Sequence, residues 1–206
     1  MSQHPFGKNY TVERTGQGIR VLINPYEESQ TVSFGDFELI GSDRGEFGGG
    51  LVRARAGEDI VLDGDNVQHL IRREEDVLVF SGLSHMTSAT GYLGAVQRDG
   101  TYRMITFLPG TPSSAVWNAE EEKLAILTSE GIFFMEEIKT WFPEGKSWQR
   151  SMEMITSVEH WKLFSHAADM VDHGGDFYFG TYNGIVRVRS AWWYGPEFQF
   201  LKIDPP

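Results

Sequence analysis

The chain has 206 residues, 40% of them hydrophobic, enough for one sizeable core and for a single domain over 1–206. A formal charge of −11 disfavours nonspecific binding to phosphate backbones and makes a basic protein the better electrostatic match. Cysteine is absent, which excludes disulfides and thiolate chemistry, and no leader-like or membrane-length apolar run is present, so a cytoplasmic protein without a cofactor or membrane contact is expected.

The elements read as short strands separated by turns, taken here in chain order. Gly18–Ile23 is a strand, and Phe37–Gly41 and Gly50–Ala54 follow it on either side of Ser42–Phe47. Gly48-Gly49-Gly50 has the composition of a phosphate-cradling turn, but no Lys-Ser or Lys-Thr follows, so it reads as a chain reversal into the next strand. Asp59–Leu62 precedes Val67–Ile71, and the turn Arg72–Asp76 leads into Val77–Gly82. The stretch Ser84–Thr90 reads as a long loop before Gly91–Val96, and Tyr102–Leu108 ends at the turn Pro109–Pro112. Ser114–Trp117, the acidic turn Asn118–Glu122, Lys123–Thr128 and Gly131–Met135 give the clearest unit. Ala168–Val171, Asp172–Asp176, Phe177–Gly180, Thr181–Asn183 and Gly184–Val188 repeat its rhythm, and Phe198–Ile203 is a last strand with alternate apolar residues. The segment Lys146–Leu163 fits none of these units.

Aligning Leu39, Val79, Ile126 and Tyr178 gives separations of 40, 47 and 52 residues. This is close to the period of four-stranded propeller blades. On that rhythm the chain resembles the β-propeller superfamily, in the loose sense of WD40 and six-bladed lactonase-like repeats, although the Trp-Asp dipeptide of a WD40 blade is absent. The expected fold is all-β, a four-bladed β-propeller or propeller-like meander of four-stranded antiparallel units. These units fall at 18–55, 56–97, 98–137 and 138–190, and 198–203 is a closing strand that pairs with Gly18–Ile23 to remove two edges.

Such an arrangement sends alternate turns to opposite ends. One end collects Glu74, Glu75, Asp76, Glu120, Glu121, Glu122, Asp172 and Asp176, with Glu58, Asp59, Asp99, Glu136 and Glu137, diluted chiefly by Arg72, Arg73, Arg98 and Lys139. These acids are the expected binding surface for a basic partner such as a toxin or enzyme, and the chain then reads as a non-enzymatic, inhibitor- or immunity-type protein. Solvated hairpin turns are the plainer explanation of the same acids.

The other end would gather His85, Thr87, Ser88, Tyr182 and Asn183, hydrogen-bonding side chains suited to a small polar ligand or to local turns. Trp192 and Trp193, beside Tyr194, offer stacking area for a sugar, or fill the space between blades. Catalysis finds less support. The cluster His166–His173 could ligate a metal if a helix brought His166, Asp169 and His173 to one face, but on a strand the two histidines diverge, and a metal is not expected. His4, His69 and His160 have no obvious partners, no serine sits in a Gly-x-Ser-x-Gly elbow, and the metal-ligating acids and Asn of a lactonase-like hydrolase do not map onto the chain. A metal-assisted propeller hydrolase and a glycan-binding propeller are the alternatives.

Overall fold

A computed structural model describes residues 10–23, 29–85, 88–139, 146–150, 167–181, 184–192 and 196–203. These form eighteen strands. A hairpin of β1 (Tyr10–Thr15) and β2 (Gly18–Ile23) comes first. Four antiparallel four-stranded sheets follow, each a meander in chain order. The first is β3 (Ser29–Phe34), β4 (Phe37–Asp43), β5 (Gly49–Arg55) and β6 (Glu58–Asp63), and the second is β7 (Val67–Arg72), β8 (Asp76–His85), β9 (Ser88–Gln97) and β10 (Tyr102–Pro109). The third is β11 (Pro112–Asn118), β12 (Lys123–Thr128), β13 (Gly131–Lys139) and β14 (Lys146–Arg150). The fourth is β15 (Ala168–His173), β16 (Asp176–Thr181), β17 (Gly184–Arg189) and β18 (Glu197–Lys202). The described part of the chain is thus all-β and propeller-like.

Each blade begins one strand later than the sequence rhythm suggested. Strand β6 is bonded to β5 rather than opening the second unit, so the sheets run 29–63, 67–109, 112–150 and 168–202. The expected closure also differs: Glu197–Lys202 pairs with β17 and Gly18–Ile23 pairs with β1. Strands β8 and β9 extend into the expected long loop, with Leu83 opposite Thr90 and His85 opposite Ser88, because the two segments stay in register as far as that last pair.

Side-chain alternation explains how the sheets stack. In β8, Val77 and Val79 enter one core with Phe37, Leu39 and Leu51, whereas Leu78 and Phe80 enter the next with Leu124, Ile126 and Phe133. In β12, Ala125 and Leu127 face a third core with Phe177, Phe179 and Trp192. A sheet buried on both faces needs apolar residues at successive positions, which is why Val77–Phe80 and Leu124–Leu127 read as continuous runs. Removing each such side chain from water stabilises the stack by about 1.5–3 kcal/mol. The N-terminal hairpin extends the series: Tyr10 and Val12 pack on Ile185 of the fourth sheet, with Val171 and Tyr178 beside them.

The first strand of each sheet is the innermost, since β11 touches β7 and β15, and β1 touches β15 in turn. Polar links run between these strands. Gln30 of β3 donates from Nε2 to the Gln68 carbonyl at 3.0 Å and accepts from Leu70 N at 3.1 Å, tying β3 to β7. The Met170 N–H of β15 donates to Ser114 Oγ of β11 at 2.9 Å, and Thr11 Oγ1 of β1 donates to Asp169 Oδ2 at 2.5 Å.

Candidate functional site

The turns joining the first to the second strand of a sheet leave from the same end as those joining the third to the fourth, since successive strands reverse direction. That end carries Glu74 and Glu75 between β7 and β8, Glu120, Glu121 and Glu122 between β11 and β12, and Asp99 between β9 and β10. Glu74, Glu75, Glu120 and Glu121 are exposed and Glu122 is half-buried. Asn118 Oδ1 accepts from the Glu120 and Glu121 N–H groups at 3.1 and 3.3 Å, which caps the turn. Glu122 closes it at φ 52°, and its carbonyl accepts from Glu137 N at 3.0 Å.

Asp76, Asp172 and Asp176, also expected on this surface, are engaged within the protein. Asp76 is buried and takes both ends of the Arg73 guanidinium, Nε to Oδ1 and Nη2 to Oδ2, each at 2.7 Å. Asp172 accepts from Gly175 N at 3.0 Å and from Trp192 Nε1 at 2.8 Å. Asp176 takes Arg187 Nε at 2.9 Å and Ser190 N at 2.9 Å. Burial works to raise the Asp176 pKa, but the Ser190 N–H and the Arg187 guanidinium outweigh it and hold the carboxyl below its ordinary value.

Arg73 organises the end. Its side chain is 4% exposed, and it reaches from Asp76 of its own sheet to Glu137 of β13, Nη1 to Oε2 at 3.0 Å. It lies 4.8 Å from the Trp117 ring centroid and 5.1 Å from that of Trp148, and the two indoles meet edge to face. Desolvation pulls its pKa down, but the hydrogen bonds and charges of Asp76 and Glu137 outweigh that and push it above the ordinary arginine value. The sequence places Arg73 merely among cations diluting an acidic turn. Its pairing with Glu137, 64 residues away, leaves no local signal.

Between these turns lies a hollow of about 730 Å³, lined by Phe34 and Gly35 of the first sheet, Arg72–Glu75 and Arg98 of the second, and Trp117, Ala119, Glu122 and Glu137 of the third. Arg98 donates to the Glu74 carbonyl and sits 5.7 Å from the Phe34 ring centroid.

The opposite end is tighter. His85 Nε2 lies 3.2 Å from Glu46 Oε1, and Ser88 Oγ donates to the His85 carbonyl at 3.0 Å. Tyr92 donates to Asp65 beside a hollow of about 120 Å³ lined also by Glu46, Asn66 and Thr90. His85 and Ser88 are therefore brought together, while Thr87, Tyr182, Asn183 and Trp193 lie outside the described residues, as do His4, His160, His166 and Tyr194. Trp192 is buried against Phe134 and Phe177, so its ring serves the core rather than a sugar. His69, without a partner in the sequence, sits on innermost β7, where burial lowers its pKa against the raising effects of Asp169 and the Ala115 backbone. Its Nδ1 is shut from solvent with no hydrogen-bond partner. No group of three metal-ligating side chains occurs among the described residues, and no helix among them is long and apolar enough to cross a membrane.

The described residues form an all-β, propeller-like series of four-stranded antiparallel meanders. No protein-family model matches the chain and no curated protein does. Among solved structures it is similar to a luciferin-regenerating enzyme, with a TM-score of 0.58 and 9% sequence identity over 91% of this chain and 66% of that one. The likeness is one of fold, and the chain spans just under two thirds of that protein's length.

Proposed function

We propose that the protein is a binding module that presents its acidic turn end to a basic protein, in the manner of an inhibitor or immunity protein that occludes a basic enzyme. The observation that carries this reading is the Arg73 bridge. By joining Asp76 of the second sheet to Glu137 of the third, it fixes the Glu74-Glu75 turn relative to the Glu120–Glu122 turn. Carboxylates held in place attract a cationic surface without first losing the entropy of ordering their turns. The test is to isolate the partner on immobilised protein and measure its Kd at rising NaCl, for the wild type and for Glu120→Lys/Glu121→Lys. Weaker binding by the variant and a steep salt dependence are expected, whereas affinity unchanged by both removes the acidic end from the interaction.

A catalytic reading rests on His69, whose buried Nδ1 lacks a partner on an innermost strand, and on the fold shared with an enzyme. It requires a substrate or metal beside His69 at the innermost strands, and metal analysis of protein purified without chelator tests the metal form of it.

A further inference from the structure

We propose that the hollow between the β7–β8 and β11–β12 turns is a receptor for a lysine or arginine side chain of the partner, so that one cation anchors the whole interaction. The inference rests on the binding reading above and narrows it to one pocket. At about 730 Å³ the hollow has room for a long side chain together with the backbone that carries it. Glu74 stands on the wall built by the second sheet and Glu122 on that built by the third, so an entering cation meets carboxylates from two sides.

The guanidiniums already present do not make it an anion site. Arg73 is taken up by Asp76 and Glu137, and Arg98 is held by the Glu74 carbonyl against Phe34. Counting Asp76 with the lining residues, five carboxylates oppose the three guanidiniums of Arg72, Arg73 and Arg98. The half-buried Trp117 indole adds an apolar wall against which a lysine or arginine stem can lie while its charged head remains at the acids. Pocket-seated arginines are frequent binding hot spots for this combination of stem burial and charge pairing.

Ala119 lines the hollow but Glu120 and Glu121 do not, which separates the pocket from the surrounding acidic surface. A fluorescent peptide of four arginines serves as the probe, titrated at low and high NaCl into the wild type, Ala119→Trp, Glu122→Gln and Glu120→Lys/Glu121→Lys. All variants are first checked for wild-type melting temperature and circular dichroism. The proposal expects Ala119→Trp, which fills the hollow and removes no charge, to weaken the peptide about tenfold or more, and Glu122→Gln to weaken it several-fold. If Ala119→Trp binds like the wild type while Glu120→Lys/Glu121→Lys binds weakly, the pocket is wrong and the broader acidic-end reading stands. If the wild type fails to bind the peptide at low salt, the pocket is overturned outright, and the native partner's own salt dependence decides the broader reading.

Discussion

At the scale of single residues, the side chain with the largest predicted effect is one that the sequence hides. Arg73 satisfies two carboxylates whose side chains are 8% and 6% exposed, so Arg73→Ala leaves both Asp76 and Glu137 enclosed without the guanidinium that neutralises them. Breaking such a pair from one side costs about 3–5 kcal/mol, far more than the net stabilisation from the intact pair. Urea unfolding of Arg73→Ala is therefore expected to show a loss of that order. The triple variant Arg73→Met/Asp76→Leu/Glu137→Met should recover most of it, and an equally unstable triple variant would show that packing on Trp117 and Trp148, not charge, is the main contribution. His69 gives a pH dependence whose sign follows from its burial. Its folded pKa lies below the unfolded value of 6.5 despite the nearby Asp169, so as pH falls below 6.5 the unfolded chain binds the proton first. Stability is complete above that pH and declines toward the folded pKa. His69→Phe should flatten this part of the stability profile relative to the wild type, and an unchanged profile would assign the acid sensitivity to other groups.

At the scale of strands, the blades are stacked so closely that glycine marks the contact. A methyl on Gly180 of β16 would overlap the Tyr10 carbonyl oxygen and the Thr11 backbone of the N-terminal hairpin, whereas one on Gly41 of β4 would meet side chains, 2.5 Å from Val67 Cγ1, 2.9 Å from Val67 Cβ and 3.4 Å from Leu70 Cδ1. The overlap at Gly180 is deeper and is with hydrogen-bonded backbone, whereas at Gly41 a small shift of the Val67 side chain relieves most of it. Gly180→Ala is accordingly expected to cost about 1–3 kcal/mol or more and Gly41→Ala less, as read by thermal unfolding of the two variants side by side. The strands themselves were legible in the sequence because both-face burial writes runs such as Val77–Phe80 and turns need residues such as Gly174-Gly175. Their grouping into blades was not. Strand β6 is flanked by turns on both sides, Ala56-Gly57 and Gly64–Asn66, and only its hydrogen bonds to β5 decide which unit owns it. The alternation of turns is legible to the same extent, and Glu74, Glu75 and Glu120–Glu122 all lie in turns that join the first to the second strand of a sheet. Which acids remain there depends on distant partners, since Asp172 is taken by Trp192 and Asp76 by an arginine that also needs Glu137.

At the scale of the whole molecule, the series of cores between successive sheets resembles a one-dimensional stack in which each unit is stabilised mainly by its neighbours. The second and third sheets are covered on both faces, with Val79, Phe80, Leu124, Ile126 and Leu127 all at 0% exposure. The β1–β2 hairpin packs on the fourth sheet through the smaller cluster of Tyr10, Val12 and Ile185, and Val21 and Ile23 of β2 remain 40% and 55% exposed. Little apolar area is lost if the hairpin detaches, and the Thr11–Asp169 hydrogen bond is part of what resists it. Native-state hydrogen exchange should therefore be graded rather than uniform. The amides of Val77–Ser81 and Leu124–Thr128 are expected to exchange only through global unfolding, and those of Gly18–Ile23 through a local opening several kcal/mol cheaper. Thr11→Val should accelerate the hairpin amides alone, since it removes the donor to Asp169 while keeping the shape of the side chain. Equal protection of the hairpin and the central blades would show instead that the stack unfolds as one cooperative unit, with the hairpin as firmly seated as any blade.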